Sequence, residues 1–157
     1  MLINPANIQI TRLDEHLAHV DTVGHWITTQ WPEESLREVC DMLLDDSNCP
    51  PTLIAMAEDQ PVAVLAYKRH PSTESDTDEL WINVLYVTPD WRKRGIGSQL
   101  VREGTSFAAT HGPKPLFVFT DIPQFYERLG WQRHRFNKAK QMHVLKHSFH
   151  RSTIGNT

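Results

Sequence analysis

Along this 157-residue chain the apolar positions change period several times, and each change marks an element. Residues 8–12 alternate in the manner of a short strand, and Asp14 then offers a side-chain cap for a helix. Leu17, Val20, Val23 and Ile27 keep roughly helical spacing, weakened by Gly24. Pro32 restarts the chain, after which Leu36, Val39, Cys40 and Leu43 repeat at i, i+3, i+4 and i+7, the apolar stripe of a second amphipathic helix. Residues 48–51 break it.

The middle of the chain predicts sheet. Residues 52–57 and 62–67 are apolar runs of strand length, joined by Glu58-Asp59-Gln60-Pro61 as a hairpin connection. The acidic, polar stretch 72–79 is expected to be a loop, and residues 80–87, rich in β-branched and aromatic side chains, form the strongest strand signal. Leu100, Val101, Gly104, Phe107 and Ala108 mark one face of a third helix that the Gly112-Pro113 pair ends. Residues 116–119 predict another strand and 123–129 a short helix closed by Gly130. Two last strands are expected near 132–136 and 141–146. Strands first, then strand–helix–strand, predicts an α/β (α+β) domain with a mixed sheet, with residues 1–147 as one domain and 148–157 as a polar, poorly ordered tail.

Composition narrows the setting without giving the chemistry. A hydrophobic fraction of 39% and a charged fraction of 22% exclude a disordered or fibrous chain. No apolar run approaches the ~20 residues of a membrane span, and the amino terminus lacks the layout of an export signal. Cys40 and Cys49 fit neither a zinc spacing nor a redox pair, so a reducing, cytoplasmic setting is expected. A formal charge of −3 argues against general nucleic-acid binding.

Chemistry first enters at residues 87–98. A strand ends, Pro89 turns the chain, Arg92, Lys93 and Arg94 cluster, and Gly95-Ile96-Gly97-Ser98 leads into a helix. Glycines allow close backbone approach, so successive amides can converge on an anion at the positive end of the helix dipole. These features together describe a pyrophosphate cradle. It is neither a Walker loop, since no Lys-Ser or Lys-Thr follows the last glycine, nor a full dinucleotide fingerprint.

The stretch Leu85-Tyr86-Val87-Thr88-Pro89 followed by Arg92-Lys93-Arg94-Gly95-Ile96-Gly97-Ser98 resembles the acetyl-coenzyme A signature of the GCN5-related N-acetyltransferase (GNAT) family. Phe125-Tyr126-Glu127-Arg128-Leu129-Gly130-Trp131 resembles that family's later motif. A helix and a strand separate the two, in the expected order. The resemblance implies a centrally splayed mixed sheet of roughly six or seven strands flanked by about four helices, with acetyl-CoA in the opening. It implies further that the main chain of Leu85, Tyr86 and Val87 pairs with the pantetheine arm. The amides from Arg92 through Ser98 would hold the pyrophosphate, and Thr120 would flank the cofactor. The activity implied is transfer of the acetyl group of acetyl-CoA to a primary amine, by direct attack in a ternary complex.

That transfer needs a neutral amine, a stabilised carbonyl oxygen and a proton for the departing thiolate. Tyr126 matches the family's proton-donating tyrosine. The position most like the family's basic carboxylate is Trp81, which cannot accept a proton; Glu79, two residues earlier and on the same strand face, is the candidate base, with Asp78 and Asp121 as further candidates and a water chain or no protein base as the alternative. Nine histidines, among them His134, His143, His147 and His150, form no convincing metal spacing, so no metal is expected. The loop containing Glu74, Asp76, Asp78 and Glu79 could draw a cationic acceptor to the cleft mouth. Small amines, peptide amino termini and protein lysines all stay open as acceptors, and a homodimer is compatible with the reading. Two rivals are a catalytically silent acyl-CoA-binding sensor and a protein adaptor that uses Trp26, Trp31 and Trp91.

Overall fold

The two apolar runs in the middle of the chain form adjacent antiparallel strands, β2 (Leu53–Ala57) and β3 (Gln60–Pro71). Every residue of β2 is buried, and so is β3 from Pro61 to Tyr67. Continuous rather than alternating burial is what a strand shows when both faces of its sheet are covered. The structure, a computed structural model, describes residues 7–45, 47–72, 76–112 and 114–149.

Around this pair the described residues form a sheet of seven strands. They are β1 (Ile8–Arg12), β2, β3, β4 (Asp78–Val87), β5 (Leu116–Thr120), β6 (Gln132–Asn137) and β7 (Met142–His147), in the spatial order β1-β2-β3-β4-β5-β7-β6. Neighbours are antiparallel except β4 and β5, which run parallel because the helix α3 (Ile96–Ala109) crosses over between them. Helices α1 (Val20–Gln30) and α2 (Leu36–Leu44) pack on one face, with Val23, Ile27, Val39 and Leu43 against Ile54, Val64 and Val84. On the other face α3 and the short α4 (Pro123–Glu127) bury Leu100, Val101 and Tyr126 against Leu65, Ile82 and Val118. The expected mixed α/β architecture is present. No helix among the described residues is long and apolar enough to cross a membrane.

Gly104 sets how closely α3 sits on the sheet. A Cβ there would lie 2.9 Å from Leu65 Cδ1 and 3.1 Å from the Tyr67 hydroxyl oxygen, so only glycine allows this approach. The Tyr67 hydroxyl donates to the Gly104 carbonyl at 2.5 Å, and burial pushes its phenol well above the ordinary range.

Three local expectations need correction. Asp14 does not cap a helix: its carboxylate pairs with the Arg12 guanidinium at 2.6 Å, a contact that lowers its pKa, and α1 begins only at Val20 without a side-chain cap. The cap in this region is Ser35 at the start of α2, whose hydroxyl oxygen accepts from the Glu38 amide at 3.1 Å. The stretch 72–79 is less of a loop than its polarity suggests, because Pro71 and His70 pair with Asp78 and Glu79 and prolong the β3–β4 hairpin. The helix expected over 123–129 ends at Glu127, and a closing turn takes residues 128–130. Pro113, residues 73–75 and the tail from His150 onward lie outside the described residues, while Phe149 packs against the core beside His147.

Candidate functional site

The site is organised by an irregularity in β4. Val84 pairs with Ala66 but Ile82 pairs with Tyr67, so Asn83 is an extra residue, a bulge. The parity of the strand changes there. Leu80 and Ile82 face the α3 side, and after the bulge so do Leu85 and Val87; Trp81, Val84 and Tyr86 face the other way. Asn83 is left exposed in an otherwise apolar strand.

Pairing with β5 stops at the same point. Only Leu80, Trp81 and Ile82 are matched to β5, opposite Leu116, Phe117 and Val118. Beyond them β4 keeps only its β3 partner, while Phe119 and Thr120 keep only β7. The two strands therefore diverge, and the main chain of Leu85, Tyr86 and Val87 presents an edge toward the opening. The Val87 carbonyl is partly used, accepting from Arg92 Nε at 2.8 Å.

The loop after β4 is anchored at its base, where the Thr88 amide and hydroxyl both donate to the Val62 carbonyl, at 2.9 and 3.2 Å. A single helical turn, Pro89–Trp91, carries the chain over to the cationic run. Arg92, Lys93, Arg94 and Gly95 are all exposed. The Arg92 guanidinium lies over the Tyr86 ring at 5.3 Å and that of Arg94 over Trp91 at 4.8 Å. Gly95 sits at φ +81° and immediately precedes α3, a conformation that side chains with a Cβ adopt only with strain. Ile96 is buried as the first anchor of α3, leaving Gly97 and Ser98 half-buried in its first turn. A Cβ on Gly97 would point between Val87 Cγ2, at 3.7 Å, and Phe125 Cζ, at 3.6 Å. The end of β4, the loop and α4 thus converge on Gly97.

On the far side α4 carries Tyr126. Its termination fixes that residue: the Trp131 amide donates to the Tyr126 carbonyl at 3.1 Å and the Gly130 amide to Glu127 at 3.0 Å, a Schellman closure with Gly130 at φ +92°. The Tyr126 ring is held edge-on by Phe125 (5.0 Å between centroids) and Trp131 (5.3 Å). Burial pushes the phenol well above its ordinary pKa, and its hydroxyl has no hydrogen-bond partner among the described residues. Thr120, also buried, uses its hydroxyl oxygen to accept from the Ile122 amide at 3.0 Å, which shapes the turn into α4.

Glu79 stands apart from these groups. It lies at the start of β4, where its Oε1 accepts from Trp81 Nε1 at 3.3 Å, and it does not line the cleft that opens on the α1–α2 side of the splay. That cleft measures about 540 Å³. Trp81, Asn83, Val84, Phe119 and Val144 are among the residues forming its floor, and Trp31, Glu33, Glu34, Lys68, His70, Arg135 and Lys140 contribute to its rim. Sequence reasoning missed almost all of these, since they come from helix ends and strand edges distant in the chain. Asn83 alone left a signal, as a polar residue inside the best strand. Of the acidic loop, Glu74 and Ser75 lie outside the described residues, and neither Asp76 nor Asp78 reaches the cleft. No group of three metal-ligating side chains comes together among the described residues.

A sequence profile of the acetyltransferase (GNAT) family matches residues 16–131, which includes both the glycine loop and the Tyr126 segment. The chain belongs to the GNAT acetyltransferase family. No characterised protein matches by sequence. Solved structures do match this GNAT fold, at identities too low to carry more than the fold. Arabidopsis thaliana Naa50 bound to the bisubstrate analogue CoA-Ac-MVNAL superposes with a TM-score of 0.65 at 17% identity, covering 91% of this chain and 99% of that one. An aminoglycoside 6'-acetyltransferase type Ii gives 0.69 at 22% identity, with coverage of 91% and 99%. A GNAT family acetyltransferase from Brucella melitensis in complex with acetyl-CoA gives 0.65 at 16%, with coverage of 92% and 89%.

Proposed function

We propose that this GNAT protein transfers the acetyl group of acetyl-CoA to a primary amine by direct attack within a ternary complex. One observation carries the reading: the opening between β4 and β5 has an unpaired strand edge on one side and a glycine-and-cation loop at its end, and beside that loop packs α4, whose Tyr126 hydroxyl has no hydrogen-bond partner among the described residues. The residues present fit acetyl-CoA. Gly95 and Gly97 leave backbone amides uncovered, Arg92, Lys93 and Arg94 supply positive charge, and the edge of Leu85, Tyr86 and Val87 can hydrogen-bond an extended amide chain as a neighbouring strand would.

In this reading the amides from Arg92 through Ser98 hold the pyrophosphate, and Thr120 and α4 close the other side. A β4 amide in the diverging segment donates to the carbonyl oxygen as it gains charge. Tyr126, kept protonated by its burial, donates its hydroxyl proton to the sulfur as the acyl bond breaks. The acceptor amine enters from the cleft on the α1–α2 side. Glu79, on the cleft face of β4 but bonded to Trp81, serves as base through intervening water. Structures of the same fold are named for a peptide-based analogue and for aminoglycosides, and small amines, peptide amino termini and protein lysines are the acceptor classes the reading admits.

The test has two stages. Acetyl-CoA should raise the melting temperature of the purified protein, and an amine panel scored by release of free CoA should then reveal turnover. A rise without turnover across the panel would favour a silent acyl-CoA sensor. No rise at all would sink both readings.

A further inference from the structure

The cleft carries a charge pattern that acetyl-CoA binding does not use. β6 has arginines at 133 and 135, which an unbroken strand would point to the same face. The pairing shifts between them: Arg133 stands opposite Leu145 and Arg135 opposite Val144. Leu145 belongs to the core on the α3 side, Val144 to the cluster with Trp81 and Phe117 on the cleft side. A bulge at His134 therefore sends the two arginines to opposite faces. Arg133 turns to α4 and is neutralised by both carboxylate oxygens of Glu127, at 3.1 Å each. Arg135 turns into the cleft and has no ion pair among the described residues.

Lys68 from β3 and Lys140 from the β6–β7 turn line the same cleft, also without an ion pair among the described residues. Lys140 is held at 5.8 Å over the ring of Phe119, a residue of the cleft floor. The cleft's carboxylates, Glu33 and Glu34, come instead from the connection between α1 and α2. Cations are thus supplied by the sheet and acidic groups by the helices, around one concavity of about 540 Å³, a volume suited to a small molecule. Arg135 stands opposite Val144, which pairs with Phe119, the ring beneath Lys140, so these two cations share one end of the concavity while Lys68 stands on β3 at the other; an anionic ligand group relieves the repulsion between the pair.

We infer that the acceptor is a small zwitterion, an amino acid or short peptide whose free carboxylate is held by Arg135 and Lys140. The inference rests on the acetyl-transfer reading and deepens it by naming the substrate class. The charges at the cleft, rather than those of the acidic loop, then select the acceptor.

The experiment compares matched acceptors by CoA release: a panel of free amino acids and dipeptides, the same compounds as carboxamides, and simple diamines. Acids should be used with lower KM than their amides. Arg135→Gln and Lys140→Gln, both at exposed positions, should each raise the KM for acids by about tenfold, through loss of a charge-assisted bond. The KM for carboxamides and for acetyl-CoA should hold steady, and the melting temperature of each variant checks that the fold is intact. Amides or diamines used as well as acids, or an acid KM unmoved in both variants, would overturn the inference. So would a parent that binds acetyl-CoA, by its thermal shift, but transfers to no acid on the panel; the acetyl-CoA reading then survives alone. A parent that shows no shift with acetyl-CoA removes both.

Discussion

The loop proposed to bind the acetyl donor and the cleft proposed to take the acceptor share strand β4, yet they are assembled on opposite plans. The loop, residues 88–98, is contiguous in sequence and works mainly through backbone: a positive φ at Gly95, an open Gly97, and the first turn of α3. The cleft works through side chains, drawn from the α1–α2 connection, β3, β4, β5 and the β6–β7 hairpin. Bulges at Asn83 and His134, not a motif, decide which side chains enter it. A site made of backbone constrains its sequence tightly, whereas a site made of converging side chains can be respecified by changing individual positions.

If that contrast holds, changes at the donor edge should alter cofactor terms or chemistry and leave acceptor preference alone. The largest effect is expected at Tyr126, the proposed proton donor: Tyr126→Phe should lower kcat about 10²-fold or more while acetyl-CoA affinity stays within about twofold, measured by single-turnover kinetics and calorimetry. Because the hydroxyl has no partner among the described residues, the fold should tolerate its loss. An unchanged rate where chemistry is limiting would return Tyr126 to a packing role.

Next, Gly97→Val should weaken acetyl-CoA binding about tenfold or more, since its branches would occupy the gap between Val87 and Phe125 that backbone contact requires. The first added carbon meets only ordinary contacts, so Gly97→Ala should leave the ligand-free melting temperature nearly unchanged and serves as the folding control; affinity equal to the parent's in Gly97→Val would remove the loop from the donor site. Gly95→Ala is the converse case. With open space around the Cβ but φ at +81°, it should cost about 1–2 kcal/mol of stability, seen as a drop of a few degrees in melting temperature.

The smallest effect concerns alkaline pH. The folded protein raises the phenols of Tyr67 and Tyr126 above their unfolded values, so it binds their protons more tightly than the unfolded chain does. Stability from these groups is complete below the unfolded pKa of about 10 and declines as pH rises through the folded values. Urea midpoints should fall more steeply above about pH 10 for the parent than for a Tyr67→Phe, Tyr126→Phe double variant. Parallel curves would show that burial does not shift these phenols.

Legibility in the sequence follows the same division. Periodicity identified every strand of the sheet, because apolar runs such as 53–57 and 62–67 owe their burial to composition. The loop and the Tyr126 segment were legible as motifs, because each acts through adjacent residues. Asp14 misled because a neighbouring guanidinium outcompetes helix amides for a carboxylate, and the 72–79 stretch misled because cross-strand pairing outlasts local polarity. Arg135, Lys140, Lys68 and Glu34 were invisible as a group: only the order of strands and the bulge register bring them to one surface.

The bulge at His134 has an evolutionary implication. Strand parity assigns Arg133 to the helix side and Arg135 to the cleft, so the identity of the cleft wall is stored in residue count as much as in residue type. A single-residue deletion or insertion in β6 outside the bulge would exchange which of its side chains face the cleft, without any codon being rewritten, whereas loss of His134 itself would regularise the strand and leave Arg133 and Arg135 on their present faces. Descendants of this chain could therefore change the charge of the cleft wall in one indel step, while the glycine loop, in a separate part of the sequence, stayed untouched.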